Sequence, residues 1–330
     1  MPASDNPVVA EAHRGPGAES VHHGAWVLVD TDGTVIDAAG RPDQAVYARS
    51  SSKSMQAVPL ITTGAADAFE VSDAEIALSI ASHNGEPIHA EVASGLLARI
   101  GLDDGALRCG AQAPAGSAHG TEGHAITHNC SGKHAGFLAT AVHLGDEPER
   151  YLDPASAVQT EVRAAMLALT GADPASVDTA IDGCSAPTWI LPLQSLATGI
   201  GRMANPDAIA DQGRAAAARR IIGAAAAHPE LVAGTSTRRF DTHALRASNG
   251  RLFAKVGAEA VQSIGIVGAG VGFAAKIDDG STRALHALAL SVLERHGLLT
   301  DDERDALASW ADPVRRSAAG LEVGRLEIVA

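Results

Sequence analysis

Strand-forming sequence stands at both ends of this chain and helix-forming sequence fills the long stretch between them, an order that few folds accommodate. Near the start, GAWVLVD and TVIDAAG flank Thr31-Asp32-Gly33, and two β-rich runs joined through Asp-Gly read as a hairpin. After Gly250 the same grammar returns in RLFAKVG, AVQSIGIVG and GVGFAAKID, separated by Gly- or Asp-containing turns. Between them, KSMQAVPLITTGAADAF has helical spacing that Pro59 should shorten, and Ser72-Asp-Ala-Glu75 is a capping box opening AEIALSIASH. Further helices are predicted at roughly 88–101, 155–170, 188–203 and 206–226. TRALHALALSVLERHG then gathers Leu285, Leu288, Ala289, Val292 and Leu293 on one helical face, with Gly297 as its stop. DDERDALASWA reads as one more helix and VGRLEIV as a final edge strand. The expectation is an α+β sandwich: one antiparallel sheet from the early and late strands (about 21–49 and 245–330), with a helical lobe (about 50–244) inserted. Residues 21–330 would form a single domain and residues 1–20, polar and Gly/Pro-bearing, a flexible lead-in. The cleft between sheet and lobe is the expected ligand site.

Composition narrows the function. With 46% hydrophobic residues among 330, a sizeable core is available and disorder is excluded as the main state. A net charge of −14 without a basic block argues against a nucleic-acid partner, since phosphate contacts need clustered Lys and Arg. No run of about 18 apolar residues exists, so no membrane span is expected. The first twenty residues hold no hydrophobic run, and a cytoplasmic protein is expected. Three cysteines are too few for a disulfide scaffold.

Some motifs compete for attention. Asp30-Thr-Asp32-Gly-Thr34-Val35 resembles the first motif of haloacid-dehalogenase-type phosphatases, with Asp30 as nucleophile and Asp32 as acid/base, but a hairpin turn accounts for it more simply. Gly132-Lys133 fails the phosphate-loop pattern at both ends, and Gly268-Ala-Gly270-Val-Gly272 lacks the dinucleotide spacing.

The stronger signal is an ordered set. Ser50-Ser51-Ser52-Lys53 is an S-x-x-K, Ser82-His83-Asn84 follows in a Gly-containing loop, and Lys255-Val-Gly257 lies on a predicted strand. This is the order S-x-x-K, S-D-N, K-T-G of serine β-lactamases and penicillin-binding proteins, altered at two middle residues. Residues i and i+3 share a helical face, so the Lys53 amine is expected to reach the Ser50 hydroxyl, and must be neutral to act as its base. Cys130 in HNCSGKHAG and Cys184 in DGCSAPT stand in Gly/Ser-rich turns with His128, Lys133 and His134 beside one of them. Buried hydrophobe is the commoner fate of such thiols; a zinc site is the alternative.

Taken together, YARSSSKSMQA, IASHNGE, HNCSGKHAG, DGCSAPT, VAGTSTRRFDT and AKVGAEAV resemble the rhizobial-type L-asparaginase family from about residue 21 to the end. That resemblance implies a serine β-lactamase-like fold in which two Ser–Lys tandems, Ser50–Lys53 and Ser82–Lys255, meet. It also implies zinc held by Cys130, Lys133 and Cys184, and hydrolysis of L-asparagine to L-aspartate and ammonia with Ser50 attacking. Arg49 and Asp182 are expected to take the substrate's carboxylate and ammonium, with His83, Asn84 and His134 also lining its site. Crowding of three lysines and a dication should lower the amine pKa values. A homodimer is expected. A β-lactam hydrolase and a non-catalytic amino-acid-binding module are the competing readings; the altered middle residues count against the first.

Overall fold

The structure, a computed structural model, describes residues 5–236 and 238–329. The strands are β1 (Val8–Arg14), β2 (Gly17–Asp30), β3 (Val35–Ala39), β4 (Ala45–Tyr47), β5 (Asp178–Ile181), β6 (Pro187–Pro192), β7 (Leu252–Gly257), β8 (Val261–Ile266), β9 (Val271–Ile277), β10 (Arg315–Arg316) and β11 (Glu322–Ile328). The main sheet runs β10-β11-β1-β2-β9-β8-β7, with β3 paired to β2, and every pairing in it is antiparallel. Early and late strands therefore share one sheet, and most of the helical segment between them packs on one face, as expected. A small sheet, β4-β6-β5, stands apart, taking β4 out of the sheet expected for residues 21–49 and putting two strands inside the expected helical lobe, and β11 is no edge strand because β10 pairs along its outer side.

Strand alternation sorts the core into two. On β2, Ala25, Val27 and Val29 face the helical lobe, while Trp26 and Leu28 face the helices Leu285–Arg295 and Asp301–Ala311. The same period on β7 sends Phe253 to the lobe side and Leu252, Ala254 and Val256 to the other. Lys255 has the parity of Phe253 and so enters the cleft. The helix Leu193–Ala204 lies almost against the sheet backbone because Gly272 and Gly201 meet there. A Cβ on Gly272 would come within 2.0 Å of the Ala197 carbonyl, which no side chain tolerates.

The structure departs from expectation in three further places. The supposed lead-in is strand from Val8 onward: β1 lies between β2 and β11, where its N–H and C=O groups are paired and Val9, Ala10 and Ala12 are buried. Its residues 1–4 lie outside the described residues. The first part of the helix expected at 188–203 is strand β6, since Pro187 and Pro192 bracket Thr-Trp-Ile-Leu, a β-rich run that pairs with β4 and β5. A helix that the Gly/Ser-rich motif concealed spans Ser131–His143.

Asp30 is a turn residue. Its Oδ1 accepts the N–H groups of Asp32 and Thr34 at 2.9 and 2.8 Å, and β2 and β3 pair antiparallel across it. Pro59 sits at the start of a short helix, Val58–Thr62, dividing this segment as its ring requires. Among the described residues no helix is long and apolar enough to cross a membrane.

Candidate active site

The cleft is assembled from four segments. The first is a 3-10 turn, Arg49–Ser52, leading into Lys53. Arg49 has φ of +49°, a left-handed conformation that costs a non-glycine residue on the order of 1 kcal/mol and is found where a site constrains the backbone. The turn packs on β7 at Gly257, where a Cβ would lie 2.9 Å from the Ala48 carbonyl. The second segment is the loop after the helix Asp73–Ser79, carrying Ser82. The third is the start of the helix Ser131–His143, drawn against Leu78 because Gly132 has no Cβ to meet the Leu78 carbonyl at 2.3 Å. The fourth is the turn Asp182–Ala186, closed by Asp182 N–H to Ala186 and Ser185 N–H to Asp182.

Ser82 occupies the centre. Lys53 Nζ lies 3.1 Å and Lys255 Nζ 3.3 Å from its Oγ. Lys53 also donates to the Ala81 carbonyl at 2.5 Å and to Cys130 Sγ at 3.1 Å. Lys255 is ion-paired with Asp241 at 3.0 Å, both side chains fully buried, and Asp241 also accepts the Val256 N–H. Burial pushes Lys255 below the ordinary lysine pKa; Asp241 opposes that and Lys53 adds to it.

The Ser50–Lys53 tandem is not formed as expected. The Ser50 hydroxyl, half-buried, makes no hydrogen bond among the described residues; Lys53 is bonded instead to the Ala81 carbonyl, Ser82 Oγ and Cys130 Sγ. Both lysines converge on one serine.

Next to Lys53 lies a thiol-rich pocket. Lys133 Nζ is 3.1 Å from Cys184 Sγ, and both cysteines are free and buried. The hydrogen bond from Cys184 holds the Cys130 thiol well below its ordinary pKa against the cost of burial, with Lys53 and Lys133 assisting. Lys133 runs opposite to the expected lowering: burial would depress it, but the sulfurs of Cys184 and Cys130 outweigh that and raise it. His134 Nδ1 is 2.6 Å from the Tyr151 hydroxyl, while its Nε2 is buried without a hydrogen-bond partner. Burial drives His134 down to about 4, with Cys184 the neighbour that most opposes it. Thiols, an amine and an imidazole nitrogen are donor types that suit zinc in chemistry, although among the described residues no group of three His, Cys, Asp or Glu side chains is placed to hold a metal ion. Cys109 stands outside it, pushed up to about 12 by burial.

At the mouth, Arg49 Nε donates to Asp182 Oδ1 at 2.8 Å, and Asp182 also accepts the Gly183 N–H. The pair sets one cation and one anion together next to Ser50. His83 and Asn84 serve the walls instead. His83 accepts the Gly85 N–H at Nδ1, donates from Nε2 to Ser131 Oγ at 3.0 Å and stacks on His89. Asn84 is held between Glu86 and Arg239. Arg239 and Asp241 were not singled out from sequence. Both lie in the quoted run VAGTSTRRFDT, but nothing in its spacing shows that Asp241 meets a lysine on β7; Thr237 of that run lies outside the described residues.

Fold and cluster together define an α+β protein whose cleft holds a serine between two buried lysines. The family model for L-asparaginase II matches residues 10–328, and the chain belongs to that family, a family of amidohydrolases. Among curated proteins none matches the chain. Two solved structures are similar at low identity. One is a beta-lactamase from Mycobacterium bovis: 15% identity, TM-score 0.42, covering 83% of this chain and 94% of that one. The other, from Bacteroides dorei, is described provisionally as a beta-lactamase: 13% identity, TM-score 0.43, covering 82% and 93%.

Proposed function

We propose that this protein hydrolyses the side-chain amide of L-asparagine to L-aspartate and ammonia through an acyl-enzyme on serine. The observation that carries the mechanism is the placement of Ser82 Oγ between Lys53 and Lys255. The Ala81 carbonyl can only accept a hydrogen bond from Lys53, whereas the Ser82 hydroxyl can also donate one. Lys53, donating to the Ala81 carbonyl, acts in this mechanism as the general base that takes the Ser82 proton as Oγ attacks the amide carbon. The C–N bond then breaks, the proton passes to the leaving ammonia, and water cleaves the ester to free aspartate and Ser82. Lys255, held by Asp241, places positive charge beside the same oxygen and stabilises it as charge develops. The Ser82 N–H is bonded to Val232, so the donors for the substrate oxyanion come from elsewhere in the cleft.

This reading moves the attacking role from Ser50 to Ser82 and leaves Ser50 as a free hydroxyl on the facing wall. Arg49 takes the substrate carboxylate and Asp182 its ammonium, which orients the amide toward Ser82. Zinc bound by Cys130, Lys133 and Cys184 would cross-link the helix Ser131–His143 to the turn Asp182–Ala186 and so hold Asp182 in place. The enzyme is proposed to work in the cytoplasm as a homodimer, which light scattering tests.

Ammonia release from asparagine and from glutamine, with metal analysis of the same sample, tests the whole reading. Zinc near one equivalent and turnover of asparagine are expected. A folded, zinc-loaded sample that releases no ammonia from asparagine would overturn it.

A further inference from the structure

A second cavity, of about 440 Å³, opens at the β7 edge on the face opposite the Lys255 side chain, beside Val256. Its wall is aromatic. Phe240 and His286 stack with centroids 4.3 Å apart, and Trp310 stands edge-on to both, at 5.4 and 5.1 Å. Burial keeps His286 neutral, pushing it down to about 4, and its Nδ1 is engaged with Gln262 Oε1 at 3.0 Å. The polar side is supplied by Arg238, Arg239 and Arg283, and no carboxylate is among the lining residues.

These arginines are unlike many others in the molecule. Arg99, Arg220 and Arg251 pair with acidic side chains. Arg283 instead donates to His22 Nε2 at 2.8 Å and Ser20 Oγ at 2.6 Å; the nearest carboxylate along that line, Asp279, is bonded to the far nitrogen of the same imidazole. Arg239 donates to the Ser82 carbonyl at 2.6 Å and to Asn84. Arg238 makes no side-chain hydrogen bond among the described residues. In a chain of net charge −14, three guanidiniums facing one cavity without a carboxylate form a concentrated positive potential.

We propose that this cavity binds a small organic anion, a carboxylate or phosphate carried on a planar ring. Guanidinium forks match the two or three oxygens of such a group, and the apolar ring is covered by the Phe240–Trp310 wall. The site is separate from the Arg49–Asp182 pair, and Arg239 ties it to the loop that carries Ser82.

Intrinsic fluorescence tests it without recourse to turnover. Trp26 and Trp189 are buried, so the partly exposed Trp310 is the indole that a ligand can reach. Phenyl phosphate and phenylacetate should quench it saturably, and benzyl alcohol, which keeps the ring and lacks the charge, should not. The double variant Arg238→Ala, Arg283→Ala should weaken phenyl phosphate by about tenfold or more while keeping amide hydrolysis. Arg238→Glu, at an exposed position outside the packed wall, should act in the same direction if the double variant folds poorly. Quenching by benzyl alcohol equal to that by phenyl phosphate, or undiminished phenyl phosphate binding in the arginine variants, would overturn the proposal. So would the absence of any quench at tens of millimolar.

Discussion

The two lysines that meet at Ser82 are held by different partners. Lys255, on the sheet edge, faces Asp241, a carboxylate buried as completely as the amine and anchored by a backbone N–H. Lys53, on the lobe side, faces a carbonyl and the Cys130 thiol. A carboxylate is a permanent counter-charge at neutral pH, and it keeps one lysine in a fixed place with a fixed role. A thiol changes its charge with its surroundings, and here it also belongs to the donor set that suits a metal. The sheet arm is thus held by an ion pair, and the lobe arm by a carbonyl, a hydroxyl and a sulfur. Two amines of one chemical type acquire separate duties from what each is packed against.

The most damaging way to break this arrangement is to remove the oxygen both arms serve. Ser82→Ala should lower asparagine turnover by about a thousandfold or more, measured as ammonia release, with Ser50→Ala costing clearly less. The reverse order would return the attacking role to Ser50. On the sheet arm, Asp241→Asn leaves Lys255 buried without its partner and should cost about 3–5 kcal/mol of stability in urea unfolding. Little change would mean that Lys255 folds neutral and that the arms do not differ as argued.

A smaller effect follows from His286 on the same arm. Its folded-state pKa of about 4 lies below the ordinary 6.5, so between those values the unfolded chain binds the extra proton. Stability should be undiminished by this group above pH 6.5, fall as pH drops toward 4, and lose about 3 kcal/mol in all. His286→Gln should flatten that part of a stability–pH curve. The smallest effect concerns the mouth: Asp182→Asn should raise KM for asparagine by about tenfold with kcat less affected, because it removes a contact to a part of the substrate that does not react.

Much of this was legible beforehand. The strand-rich ends, the Asp30–Thr34 hairpin, the Ser72 capping box and the late helix Leu285–Arg295 follow local patterns that tertiary contacts reinforce. Failures came where a pattern has two readings. HNCSGKHAG looks like a turn because Gly and Ser are poor helix formers, yet the helix it opens is buried along most of its length and packing decides. TWILPL is apolar enough for either period, and pairing with β4 and β5 makes its first residues a strand. The polar first segment reads as a loose end because nothing local shows β11 returning to pair with it.

By itself the sequence nominated residues for chemistry and the kind of element most of them stand on: a lysine on a late strand, a serine in a loop, cysteines in Gly/Ser-rich segments. Only the tertiary structure decided who meets whom. Lys53 lies three residues from Ser50 and twenty-nine from Ser82, yet bonds the second, because a long flexible side chain entering a dry interior goes where its N–H groups find acceptors. Asp241 likewise meets Lys255 through the packing of a helix on a strand edge, a distance that no local spacing encodes.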